Sequence, residues 1–254
     1  MIRRVLRIRW LRVLGAALLL TGAAAAAPVG LRATGAFRVE RVEVLGTRYM
    51  TPQAVLAASG IASDASVFDD FEPWRVRLIA HPMIADVEIE RRVPDTIVLR
   101  VTEAEPVAWA RTPELVAVSA EGHALTFDPT SEPLDLPVLG VASRPASNGR
   151  FADHATVRMA AAIATIRTHE PALAAWVSEI SPAEGGGIRL LMRGPTRAEV
   201  LLPDSLTPER LRELRLTLAD LAARGELRNV RRVEARYADQ IVVTPGRDGA
   251  RKQS

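Results

Sequence analysis

Three carboxylates stand within four positions at Asp69-Asp70-Phe71-Glu72, the raw material for a paired acid and base. The same cluster immediately precedes Pro73 and a helix-like stretch, where negative charge suits the positive end of a helix dipole. The second reading is favoured, because no other catalytic pattern accompanies the acids. His81, His123, His154 and His169 are scattered without ligand spacing, and His169-Glu170 runs into Pro171 with no second histidine four residues on. The zinc-protease pattern is therefore missing. The sole lysine is Lys252, so no glycine loop carries the lysine that a phosphate site needs. There is no Gly-x-Ser-x-Gly elbow. The absence of cysteine excludes thiolate catalysis, disulfides, cysteine zinc sites and lipoprotein acylation. Gly185-Gly186-Gly187 would let a ligand approach the backbone, but a hairpin turn explains it more cheaply. No catalytic residue, metal or other cofactor is assigned.

What remains is a surface that acts by binding, and the last strand is its best candidate. Val233, Ala235 and Tyr237 share one parity, and Arg232, Glu234 and Arg236 the other. Beyond Asp239 comes the β-branched run Ile241-Val242-Val243-Thr244, ending at Pro245. No strand is predicted after it, so it is a candidate sheet edge with unpaired N–H and C=O groups. The competing reading has the strand covered by its own domain, with Tyr237 in the core.

The elements that position this strand form two groups. Residues 37–47 read as a strand ended by Gly46. Thr51-Pro52 opens a helix over 52–59 that Gly60 stops, and a second helix spans about 73–80. Strands at 84–93 and 96–102 follow, giving β-α-α-β-β, a small α+β domain. Pro106 marks a joint. After it come a hairpin (115–119 and 124–127), a short apolar segment (136–140), a helix from Asp153 to about His169, and strands at 176–181, 187–193 and 197–202. Thr207-Pro208 opens a helix with Leu211, Leu214, Leu218 and Leu221 on one face, and Gly225 stops it. Residues 229–244 read as a strand pair or one bent strand. This half is a mixed sheet with helices laid against it.

The N-terminus supplies an address. Arg3, Arg4, Arg7, Arg9 and Arg12 precede an uncharged run over 13–31. At ~1.5 Å per residue that run spans roughly 28 Å, close to a bilayer's hydrocarbon core. The arginines keep the start of the chain in the cytoplasm and export the rest. A cleaved signal peptide is the other reading, with Ala23 to Ala27 before Pro28 as its small-residue site. The length of the run, and its continuation through Val29 and Leu31, favour the anchor. Taking those five arginines from the net charge of +3 leaves −2 for the remainder, so nucleic-acid binding loses its electrostatic basis.

Several short patterns then align in order. Val39-x-x-Val-x-Val-x-Gly46, Thr51, Ser59-Gly-Ile61, His81-Pro-Met-Ile84, Glu90-Arg-Arg-Val-Pro-Asp95 and Glu103-Ala-Glu-Pro-Val-Ala-Trp109 resemble the POTRA domain of the bacterial cell-division proteins FtsQ and DivIB. His81-Pro-Met-Ile84 replaces the family's Leu-Pro-Trp-(Val/Ile), and the junction is one residue shorter before Trp109. Glu209-Arg-Leu-Arg and Val233-Glu-Ala-Arg-Tyr237 resemble the family's last helix and its Asp-Leu-Arg-Tyr strand, with Glu234 and Ala235 substituted. The aromatic anchor that some members carry beyond that strand is missing, and Pro245 stands in its region.

The resemblance implies an α+β protein with a cytoplasmic stub (1–12), a transmembrane helix (13–31), a POTRA domain (37–105), a β domain (106–245) and a disordered tail (246–254). It implies a non-catalytic scaffold of the division machinery at the septum, single-pass in the inner membrane with its C-terminal domains in the periplasm. Its partners would be the small bitopic proteins FtsB and FtsL, with no nucleic acid and no small-molecule substrate. Carried over by residue, the partner surface is Arg236, Tyr237, Asp239, Gln240, Ile241, Val242 and Val243. Two other classes compete: a POTRA-bearing component of outer-membrane protein assembly or secretion, and a periplasmic enzyme with an unfamiliar site.

Overall fold

The computed structural model describes residues 37–126, 134–141, 144–193 and 198–246. The expected stub, membrane helix and nearly all of the tail lie outside these residues, as do Phe127 and Arg197 at two expected strand ends. Among the described residues no helix is long and apolar enough to cross a membrane. The chain divides into two compact units after Glu103.

The first unit contains β1 (Arg41–Leu45), α1 (Pro52–Ser59), α2 (Glu72–Ile79), β2 (Ile84–Arg92) and β3 (Thr96–Glu103). The three strands lie in the order β1-β3-β2. β1 runs parallel to β3 and β2 antiparallel to it. Thr51 caps α1 by accepting from the Ala54 N–H at 3.2 Å, and Gly60 stops it in the left-handed region. Val55, Trp74 and Leu78 from the helices meet Val87, Ile97, Leu99 and Val101 from the sheet in one buried cluster. The strand expected over 37–47 is shorter because its beginning pairs elsewhere. Val39 N–H donates to Ala65 O at 2.9 Å and Val67 N–H to Phe37 O at 3.0 Å. Gly46, at φ +86°, ends β1 where a Cβ would lie 2.3 Å from the Val101 carbonyl oxygen.

Glu103, the last residue of β3, is buried. Its carboxylate accepts from the Tyr49 N–H at 2.7 Å and the Met50 N–H at 2.8 Å, tying down the β1–α1 connection. These amides precede the helix, and a charged acceptor binds both.

The second unit contains β4 (Pro106–Arg111), β5 (Leu115–Ser119), β6 (Ala124–Leu125), β7 (Val138–Leu139), α3 (His154–His169), α4 (Pro171–Ala174), β8 (Val177–Pro182), β9 (Ile188–Met192), β10 (Glu199–Leu202), α5 (Pro208–Ala223), β11 (Val230–Glu234) and β12 (Val242–Pro245). They form one nine-stranded sheet in the order β12-β11-β10-β9-β8-β7-β4-β5-β6. β7 runs parallel to both β4 and β8, and β11 runs parallel to β10. The short apolar segment of the sequence is therefore a central strand, held by Trp109 N–H to Pro137 O and Gly140 N–H to Ile180 O, both at 2.8 Å.

Helices α3 and α5 cover one face of this sheet. Met159, Ile163 and Ile166 of α3 and Leu211, Leu214, Leu218 and Leu221 of α5 share a core with Val177, Ile188, Leu190, Val200 and Val233. Asp153 caps α3, accepting from the Thr156 N–H at 2.9 Å and the Thr156 hydroxyl at 2.7 Å. Those bonds, the Thr156 side chain foremost, hold its carboxyl below the ordinary value although partial burial pushes the other way.

Glu103→Ala leaves two amides of the β1–α1 connection without their acceptor. We expect the first unit to lose about 2 kcal/mol, measured as earlier urea unfolding. A loss within a few tenths of a kcal/mol of zero would show that water replaces the carboxylate.

Candidate partner-binding edge

The last strands are shaped by a change of neighbour. β11 runs beside β10, pairing Val200 with Val233. Beyond it, the Ala235 N–H still donates to Leu201 O at 2.8 Å, but the chain then leaves the sheet. It returns as β12, antiparallel to β11, with Val243 opposite Val233 and Val242 opposite Glu234. Residues 229–244 are thus a strand pair. Val233 and Ala235 are fully buried as their shared parity requires, whereas Tyr237 lies in the connection and is 52% exposed. The alternation that would place it in the core stops two residues earlier.

β12 is the outermost strand at its end of the sheet. Ile241 and Val243 turn toward the core, and Val242 and Thr244 are exposed. Among the described residues no strand pairs with its outer side. The sheet's opposite end differs: Ala124 of β6 donates to Gly149 O at 2.7 Å, and His123 bridges to Arg150, so a loop covers it. The edge strands of the first unit carry charge, Arg41 and Glu43 on β1 and Asp86, Glu88 and Glu90 on β2. Charge discourages edge pairing. β12, with the sequence Val-Val-Thr-Pro, carries none.

The predicted partner residues fall into three settings. Val242 and Val243 are on β12, with Ile241 just before it. Tyr237, Asp239 and Gln240 are exposed on the β11–β12 connection. Arg236 is engaged within the fold: its Nε and Nη2 donate to the two carboxylate oxygens of Glu234 at 2.7 and 2.8 Å. Its Nη1 reaches the carbonyls of Glu184 and Gly186 at 3.3 and 3.2 Å. The triple glycine therefore lies in the β8–β9 turn, where the Glu184 and Gly186 carbonyls accept from Arg236. Gly187 sits at φ +91°, where a Cβ would lie 2.3 Å from Leu202 O.

The sheet face opposite α3 and α5 is polar. Glu179 meets Arg189 at 3.5 Å, Arg189 approaches Glu199 to 3.8 Å, and Glu199 accepts from Arg232 at 2.7 Å. Arg189, Glu199, Arg232, Arg236 and Glu184 line an open cleft of about 420 Å³. Its alternating charges are mutually neutralised and offer no apolar pocket.

The sequence-level candidates for chemistry are accounted for locally. Asp69 accepts from the Ser66 N–H at 2.8 Å and Asp70 from the Glu72 N–H at 3.1 Å, so the acidic cluster shapes the turn into α2. Met83 N–H donates to His81 Nδ1, and burial holds that imidazole below its ordinary value, toward the neutral form that can accept. Among the described residues no three His, Asp or Glu side chains converge to hold a metal ion. One residue that bears on the edge went unassigned by sequence: Arg210, buried at the start of α5, with Nη2 3.4 Å from Gln240 O. A signal existed, since Arg210 stands four residues before Leu214 and eight before Leu218, on the apolar stripe.

The three-stranded unit with two helices is a POTRA module: residues 37–104 match the POTRA domain, FtsQ-type. The chain is 32% identical over 117 residues to the cell division protein FtsQ of Syntrophotalea carbinolica, covering 46% of this chain and 42% of the relative. It is 37% identical over 136 residues to FtsQ of Streptomyces coelicolor, covering 50% and 51%. It is 25% identical over 192 residues to FtsQ of Myxococcus fulvus, covering 74% and 66%. The chain is thus similar to cell division proteins named FtsQ or DivIB, and residues 37–104 carry the FtsQ-type POTRA match. Its match spans about half the length of the first of these curated relatives.

Glu234 is held below the ordinary glutamate value, by the hydrogen bond from Arg236 first, with burial opposing. A carboxyl whose folded pKa is lowered stabilises the fold above its unfolded value, and that contribution disappears as pH falls through the folded value. The melting-temperature gap between the parent and Glu234→Gln should therefore be full near neutral pH and shrink below about 4.5, the ordinary value. A gap unchanged down to about pH 3 would contradict the ion pair's role.

Proposed function

We propose that this protein is a non-catalytic scaffold of the bacterial division machinery that receives a partner strand on β12. The observation that carries the reading is the edge itself: among the described residues it is β-branched, uncharged and open, whereas the other sheet edges are charged or covered. The curated relatives are cell division proteins, and the matched module is FtsQ-type, which favours division over outer-membrane assembly. The partners we assign are small bitopic proteins of the FtsB and FtsL kind, as the family resemblance implies. The POTRA unit sits nearer the membrane in this scheme, on a helix at 13–31 with residues 1–12 in the cytoplasm and the domain over 106–245 in the periplasm. The site of action is the septum.

A short edge sets the energetics. β12 has four residues, and Pro245 has no N–H to give. Backbone bonds worth about 0.5–1.5 kcal/mol each then supply register and only part of the affinity. Exposed side chains must supply the rest, and Tyr237 and Val242 are the large apolar ones at this edge, 52% and 42% exposed.

Two substitutions test this without touching the core. Tyr237→Ala should weaken capture of a co-expressed FtsB-type partner about tenfold or more. Val242→Lys places a charge on the edge and should do likewise. Cells whose only copy is Val242→Lys should filament. Normal division together with normal capture would overturn the strand-pairing reading.

A further inference from the structure

A docking strand is useful only if it is in place when the partner arrives. The connection from β11 to β12 covers residues 235–241, longer than a tight hairpin and exposed along most of its length. Unsupported, such a connection samples many conformations, and ordering it would subtract from the partner's affinity. Two arginines tie it to different parts of the fold, one from within it and one from α5. On one side, Arg236 joins Glu234 through two hydrogen bonds and extends Nη1 to the carbonyls of Glu184 and Gly186. On the other side stands Arg210, the one buried arginine among the described residues. Its Nη1 donates to Glu213 at 2.7 Å and its Nη2 to the Gln240 carbonyl at 3.4 Å. A guanidinium on the apolar stripe of α5 is costly unless its donors are used. Glu213 alone, three residues on and largely exposed, would pair as well with a solvated arginine. Placement on the stripe is what brings the fork to Gln240.

We propose that Arg210 and Arg236 are positioning residues that hold the β11–β12 connection between α5 and the β8–β9 turn, so that β12 stands as a preformed edge. This rests on the reading of β12 as a docking strand. It also moves Arg236 out of the contact surface, since every nitrogen of its guanidinium already donates within the fold. The fork geometry matters as much as the charge, because a lysine ammonium cannot bridge two acceptors in the same plane. Loss of a clamp lowers the fraction of molecules with a competent edge, and apparent affinity falls by that fraction with no contact residue changed.

The test is amide hydrogen exchange on the full-length protein in detergent, for the parent, Arg210→Met and Arg210→Lys, alongside capture of the co-expressed FtsB-type partner. Methionine keeps much of the buried stem while removing the fork. In Arg210→Met, exchange across 235–245 should rise about tenfold while β8 to β10 stay protected, and partner affinity should fall by a similar factor. Arg210→Lys should fall between the two, and it serves as the test if the methionine variant does not fold. Unchanged exchange across 235–245, or loosening that spreads equally through α5 and β8 to β10, would overturn the proposal. Val242→Lys separates the two claims. If it binds the partner like the parent, the docking reading fails, while the exchange data still decide whether the arginines hold the connection.

Discussion

A sheet that does not close has two ends, and the second unit depends on how its ends are treated. Nine strands lie in one row, and each end leaves a line of backbone donors and acceptors. At β6 the chain uses a loop around Gly149 and Arg150 to satisfy them. At β12 the strand is short, ends on proline and carries no charge, and among the described residues no strand covers it. Proline and brevity limit how far an incoming strand can extend, and the β-branched side chains favour the extended conformation such a strand would meet. The edge is open to a short partner and resistant to indefinite stacking.

Behind that edge the two faces of the sheet are treated differently. The helices cover one face, so the core forms between Leu211, Leu214 and Leu218 and the inward residues of the central strands. The other face is a row of charges from Glu179 to Arg232. With lysine nearly absent, arginine makes the ties between elements: Arg193 to Asp135, Arg215 to Glu170, Arg167 to the Pro106 carbonyl. The exposed pair, Arg193 with Asp135, contributes little alone, whereas the other two ties are partly buried. Their planar forks fix the orientation of the segments they join.

Where the sequence carries a local signal, structure follows it closely. Thr51, Asp153 and Thr207 accept from the amides that a cap must satisfy, and α1 spans the predicted residues because Gly60 can adopt the left-handed turn. The strands over 84–93 and 96–102 shift by a residue at most. Long-range pairing is less visible. β7 is a central strand of two residues, too short for any periodicity, and its place is decided by β4 and β8. Residues 37–40 alternate like a strand yet pair with the segment around Ala65, which no local pattern encodes. Tyr237 keeps the parity of Val233 and Ala235, but Arg236 and Glu234 turn the chain out of the sheet before it. The candidate residues from Arg236 to Val243 stand together as a run in the sequence; their division between the β11–β12 connection and β12 is visible only in the structure.

The central claim is that a partner lies along β12, and the chain's lack of cysteine allows a direct measurement. A single cysteine at Val242, Thr244 or, as a control, exposed Leu216 on α5 would carry a short photo-crosslinker in dividing cells. The account predicts that 242 and 244 capture one small membrane protein and that 216 does not. Capture of that protein from 216 alone, or equally from all three positions, would contradict it.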